Sequence, residues 1–226
     1  MRPELLNNPA WHALSTEHSG VSSGDGLALA YDPDVLPFAA LARTGQDADQ
    51  ALLDLIETGR SVGVVSVLPT NLEGWEVLGE FEVVQYIWPK AQAVPERFPN
   101  VERLGPEDVE GMLDLTARVY PAYFRRRTAE LGPYFGIKHE GTLAAMAGVR
   151  LSFAGYGEIS AVVVDEGFRG KGFGRMVTGR VAQELQSLGK TPFLHTETHN
   201  DPARSLYEKM GFELNQILPA RVLQRK

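Results

Sequence analysis

Hydrophobic positions along the chain change period several times, and each change predicts a change of element. Ser61 to Leu68 is rich in valine and reads as a strand ended by Pro69. From Glu80 to Trp88, Phe81, Val83, Gln85 and Ile87 alternate with Glu82, Val84, Tyr86 and Trp88. Both faces are largely apolar, so this strand is expected to be covered on both sides. Tyr134–His139 and Thr142–Phe153 are expected as a hairpin around Glu140-Gly141, followed by a buried strand from Glu158 to Val164 and another from Phe193 to Thr198. Helical spacing takes over in Ala51–Ile56, in the stretch from Pro106 through Met112, Leu115 and Val119, and in Ala203–Met210, where Asp201-Pro202 opens and Gly211 closes the segment. The longest helical face carries Phe173, Val177, Val181, Leu185 and Leu188. Weaker patterns predict a strand over Leu27–Tyr31, a helix reaching Leu41 after Asp32-Pro33-Asp34, and a strand over Val101–Leu104. They also predict a second helix or a mobile helical loop over Pro121–Leu131 and two short final strands, Phe212–Leu214 and Ile217–Leu223.

Pro89, Pro95 and Pro99 interrupt the pattern and suggest a boundary between residues 1–95 and 100–226. The expected fold class is therefore α/β (α+β): a mixed twisted sheet flanked by helices, preceded by a smaller N-terminal α/β domain. Composition narrows the function. With 43% hydrophobic and 23% charged residues the 226-residue chain is an ordinary globular sequence. A formal net charge of -7 argues against nucleic acid as a partner, because phosphate neutralisation needs a basic face. The absence of cysteine excludes disulfides, thiolate metal sites and a thiol nucleophile. No apolar run has membrane-spanning length and the first residues lack a signal-peptide core, so a cytoplasmic protein with no membrane partner is expected.

The richest stretch is the turn between the Glu158–Val164 strand and the long helix: Arg169-Gly170-Lys171-Gly172-Phe173-Gly174-Arg175. A strand feeding a glycine turn and a helix N-terminus suits an anion, since unpaired N–H groups and the helix dipole converge there. A Walker loop fails on Asp165 and Gly172, and a dinucleotide fingerprint fails on Arg175. What remains, Arg169-x-x-Gly172-x-Gly174, resembles the signature of the GNAT superfamily of acyl-CoA-dependent N-acyltransferases. The preceding strand, the segment Asn200–Phe212 and the opening Val101–Asp108 look like the family's neighbouring motifs in order. The resemblance spans roughly residues 101–223; the first hundred residues carry no such motif, and a degenerate copy of the same fold stays open for them.

The resemblance implies a GNAT N-acetyltransferase domain with acetyl-CoA as cosubstrate and no metal. It implies that backbone groups of Val162 and Val164 pair with the pantetheine arm. Amides from Arg169 through Gly170, Lys171, Gly172, Phe173, Gly174 and Arg175 would hold the pyrophosphate, and Asn200 would touch the arm. It implies Tyr207 as the acid that protonates the leaving thiolate and Glu158 as the base for the amine of a small molecule, amino acid or peptide. The alternative is a non-catalytic acyl-CoA-binding or sensing module. His195, Glu197 and His199 share one face of their strand, which allows a metal, a pocket role or an alternative base; Arg125-Arg126-Arg127 suggests either a solvated face or an anionic acceptor. Monomer and homodimer both remain open.

Overall fold

The computed structural model describes every residue except 1–2, 90–92, 95–97, 99 and 122. Chain order runs α1 (Pro9–Leu14), β1 (Ser22–Asp25), β2 (Ala28–Tyr31), β3 (Ala39–Leu41), α2 (Gln46–Leu55), β4 (Ser61–Val65) and β5 (Trp75–Ile87). It continues with β6 (Glu102–Leu104), α3 (Val109–Val119), β7 (Tyr134–His139), β8 (Thr142–Phe153), β9 (Tyr156–Val164), α4 (Phe173–Ser187), β10 (Thr191–Glu197), α5 (Asp201–Met210) and β11 (Glu213–Arg225). Three strands form a small antiparallel sheet, β1-β2-β3. The main sheet has eight strands in the order β4-β11-β5-β10-β9-β8-β7-β6, antiparallel except for the β9–β10 pair, which α4 connects. The expected mixed sheet flanked by helices is what forms.

Helices cover both faces. On one, Val177, Val181 and Leu185 of α4 pack on Phe135, Ala147, Ile159 and Leu194. Each such fully buried side chain is worth about 1.5–3 kcal/mol. Gly157 of β9 lies beneath Leu185, whose Cδ2 would sit 2.2 Å from a Cβ there, so glycine sets how closely α4 approaches the sheet. On the other face α3 brings Met112 and Leu115 against Tyr134 and Met146, and the α1 region packs on Leu151, Phe153 and Phe193.

The division at residues 95–100 is not a division of the sheet. β5, from the supposed N-terminal domain, lies between β10 and β11, and β4 pairs with the other edge of β11. A strand apolar on both faces needs neighbours on both edges and cover on both sides, and β5 finds them in the C-terminal half. The prolines Pro95 and Pro99 that suggested the boundary lie outside the described residues.

Three local expectations also change. Asp32 accepts from the amides of Val35 and Leu36 (2.9 and 3.1 Å), which makes a tight turn rather than a helix, and Ala39–Leu41 then pairs with β2. Beyond Tyr120 the chain leaves α3, and the predicted second helix shrinks to one 3-10 turn, Thr128–Leu131. The two final strands are one, β11, with a bulge between Leu214 and Gln216. No helix among the described residues is long and apolar enough to cross a membrane.

Candidate functional site

The parallel strands β9 and β10 pair from Thr191↔Tyr156 to Leu194↔Ile159 and no further, although both strands continue. Past Ile159 the edge of β9 that carries Val162 and Val164 therefore faces a gap rather than a strand. Ala161 adopts φ 50, an uncommon conformation for a non-glycine residue, and it sits where β8 and β9 slip register between Ser160 and Val163. The gap opens into a cleft of about 410 Å³.

Gly170 (φ +77) and Gly172 (φ +80) are left-handed, and a Cβ at either would meet nothing within 4 Å. Glycine is thus required here by backbone conformation rather than by crowding. Gly172 is the N-cap of α4 and supplies no side-chain cap, which leaves the first-turn amides open to an external anion. Gly174 differs: a Cβ there would make ordinary contact with Leu206 (3.4 Å) and Val164 (3.6 Å), so neither crowding nor backbone conformation demands glycine at this position. Phe173 stacks on Phe168 at 5.8 Å, and Lys171 Nζ lies 4.6 Å from the Phe168 ring centre.

Of the residues expected to act, Val162, Arg169, Asn200 and Tyr207 share the cleft wall; Val164, Glu158 and the turn residues Gly170, Lys171, Gly172, Phe173, Gly174 and Arg175 are not part of that wall. Arg169 pairs loosely with Glu166 at 3.4 Å. Asn200 caps α5, its Oδ1 accepting from Ala203 N at 3.2 Å. Tyr207 is 6% exposed, its ring set against Tyr86 and Phe212, and burial pushes its phenol up from the ordinary value.

Glu158 is where the geometry departs most from expectation. It is fully buried behind the wall, and its carboxylate accepts from Arg150 Nε (2.8 Å), Arg150 Nη2 (2.6 Å) and His195 Nδ1 (2.7 Å). Burial alone would raise its pKa, but the Arg150 charge and the bonds from His195 and Arg150 outweigh it and hold the group at about 2. So weak a base, with no solvent path, is unsuited to take a proton from an amine.

The buried chain continues. Gln85 Oε1 accepts from Asn215 (2.6 Å) and Gln216 (3.0 Å), so its amide nitrogen faces His195 Nε2 at 3.0 Å and Leu6 O at 3.0 Å. His195 Nε2 must accept, which places its proton on Nδ1, toward Glu158. His195 thereby bridges Gln85 and Glu158, with Nδ1 as the donor. Glu197, two residues on, is the carboxylate that lines the cleft: it accepts from Tyr120 Oη and His199 Nε2, each at 2.8 Å, and keeps 28% exposure. The arginine triplet is spent elsewhere, with Arg126 on Glu110 (2.5 Å) and Arg127 on Asp32 (2.6 Å) and Glu130 (3.0 Å).

Arg150, Tyr120, Tyr123 and Tyr134 line the cleft and carry no motif. The only sign of Arg150 in the sequence is a single charge within the apolar run Thr142–Phe153. Phe38, from the first hundred residues, lies between Tyr123 (stacked, 5.5 Å) and the Arg150 guanidinium (5.1 Å), and Gly63 makes room for its ring at 2.8 Å.

The FR47-like protein family matches residues 134–218, the segment that carries β7 through α5 and the glycine turn. A mycothiol acetyltransferase of Beutenbergia cavernae is 31% identical over 163 residues, 70% of this chain and 52% of that protein. A GNAT-family structure from Novosphingobium aromaticivorans superposes over 100% of both chains with a TM-score of 0.89 at 28% identity. The chain belongs to the GNAT superfamily. Within the GNAT comparisons, the N-alpha-acetyltransferase RimI of Mycobacterium tuberculosis is 34% identical over 100 residues, 41% of this chain and 60% of that protein. The chain thus spans only about half to three-fifths of the length of these curated relatives. A GCN5-related N-acetyltransferase of Kribbella flavida, at 18% identity and TM-score 0.61 over 93% of each chain, shares the GNAT fold.

Proposed function

We propose that this chain transfers an acetyl group from acetyl-CoA to a primary amine, by direct attack in a ternary complex. The observation that supports this reading is the meeting of three features at one cleft: the unpaired edge of β9 at Val162, Arg169 at the head of the left-handed Gly170–Gly172 turn, and Tyr207. The edge of β9 at Val162 and Val164 would pair with the pantetheine arm as with an added strand. The amides between Arg169 and Arg175 would take the pyrophosphate, several direct bonds doing more than the roughly 0.3–1 kcal/mol of the helix dipole.

The amine nitrogen attacks the thioester carbon, the C–S bond breaks, and Tyr207 gives its proton to the leaving thiolate. The proton lost by the amine goes to Glu197, directly or through water. Glu197 replaces Glu158 in this step because it lines the cleft and keeps solvent contact; Glu158 instead holds Arg150 and His195 in place. Need for a base depends on the acceptor: an amine of pKa near 10.4 costs roughly 4.6 kcal/mol to deprotonate at pH 7, a peptide α-amine only about 1 kcal/mol. One relative is named as an N-alpha-acetyltransferase, which supports an α-amine acceptor.

Release of coenzyme A thiol across a panel of amines, with mass spectrometry of the products, tests the reading. An N-acetylated product with one equivalent of thiol is expected. Tight acetyl-CoA binding without turnover on any amine would leave a coenzyme-binding module instead.

A further inference from the structure

Beneath the cleft, Arg150 uses only one edge of its guanidinium on Glu158, through Nε and Nη2. No acceptor among the described residues lies within hydrogen-bonding reach of Nη1. That atom is also not among the enclosed unpartnered ones, and Arg150 lines the cleft. A guanidinium carries five N–H donors, so a ready pair remains turned to the cavity. Of the four buried side-chain atoms without a partner among the described residues, Tyr134 Oη alone belongs to a residue of the cleft wall. Tyr134 is 2% exposed, and its ring lies over Gly148, its partner on β8, two residues before Arg150 and on the same face of that strand.

The opposite pole is Glu197. On β10 it lies two residues beyond His195, roughly 7 Å along the strand, on the same face. The rest of the wall is largely apolar: Phe38 and Tyr123 pack beside Arg150, and Val65 and Phe81 line it from β4 and β5, beyond Glu197 in the sheet. Two unmet donors, a carboxylate on another strand and largely apolar walls around them describe a ligand with an anionic group, an apolar body and an amine.

We propose that the acceptor is an amino acid with a free carboxylate and an apolar side chain, its carboxylate held by Arg150 Nη1 and the Tyr134 hydroxyl and its amine turned toward Glu197. The proposal rests on the acetyl-transfer reading for the amine and on the cavity alone for the carboxylate. Because Glu158 already balances the arginine charge, the preference for a carboxylate over a neutral amide is expected to be about tenfold rather than thousands.

Calorimetry on the full chain with coenzyme A present tests the anion site without turnover. The probes are 3-phenylpropanoate and 3-phenylpropanamide. The acid is expected to bind about tenfold more tightly, and Tyr134→Phe, which removes one oxygen, is expected to reduce that ratio about fivefold. Equal affinities in the unaltered protein, a comparison independent of how the variant folds, would overturn the site; so would an unchanged ratio in a folded Tyr134→Phe protein. L-phenylalanine and phenethylamine as acceptors separate the two readings. Equal kcat/KM for both removes the carboxylate site and keeps the transferase. Selective acid binding with neither amine acetylated keeps the site and removes the transferase.

Discussion

On the β9–α4 side, the groups proposed to meet the coenzyme are backbone groups from one short stretch, Val162 to Arg175, and the side chains there mostly shape the turn. The facing wall is made of side chains from several distant segments: Phe38, Tyr120 and Tyr123, Arg150, and Glu197. The first edge is fixed by conformation, through two left-handed glycines; the second is fixed by a buried chain of charge and hydrogen bonds running from Arg150 to Gln216. A backbone site can lose its ligand without losing the fold. A side-chain wall braced by a buried ion pair cannot, so substitutions on the two sides should fail in different ways.

The sharpest break is Glu158→Gln, which strands the Arg150 charge in the interior. A loss of roughly 3–5 kcal/mol in unfolding free energy by urea titration is expected, and a loss below 1 kcal/mol would show that the braced wall needs no ion pair. The same carboxylate sets an acid limit. Its folded pKa of about 2 lies below the unfolded carboxylate value, so its contribution is complete above about pH 4.5 and disappears as pH falls toward 2. Unfolding free energy measured across that window should fall less steeply in the glutamine variant.

Next comes Gly172→Glu, which combines strain at φ +80 with negative charge among the amides. Acetyl-CoA affinity by calorimetry should fall about 100-fold while 3-phenylpropanoate binding holds; a parallel loss of both would erase the distinction between the two sides. Tyr207→Phe should lower kcat about 10- to 100-fold with acetyl-CoA binding nearly unchanged, and an unaltered kcat removes its acid role. The smallest effect is expected for Phe38→Leu, which keeps an apolar residue but loses the stack with Tyr123 and Arg150: acceptor KM should rise about threefold to tenfold. An equal rise in acetyl-CoA KM would mean that Phe38 does not belong to the acceptor wall.

The same contrast explains what could be read before folding. The Gly170–Gly174 turn and the face of α4 are contiguous, so residue type and spacing carry them directly. Arg150 and Glu158 are eight positions apart on two strands, and nothing local states that they form a pair. Glu158 could be placed at the start of its strand, but whether that end is wet or buried depends on α1 and the Phe38 loop, which pack over it from the far end of the sequence. Leu41 was expected in a helix because its apolar neighbours fit either period; the pairing of Ala39–Leu41 with β2 decides it. The expected boundary at residues 95–100 coincides with no break in the sheet for a related reason, since prolines mark an interruption in the chain and say nothing of which strands pair.

The position of β5 has a consequence for the order of events during synthesis. Its two neighbours, β10 and β11, are made more than a hundred residues later, so β5 leaves the ribosome with both edges bare and most of its apolar surface unclaimed. Pairing over such separations closes late and slowly. Through that interval the nascent chain carries an open, sticky strand, shielded on one edge when β10 arrives and on the other by the thirteen residues of β11.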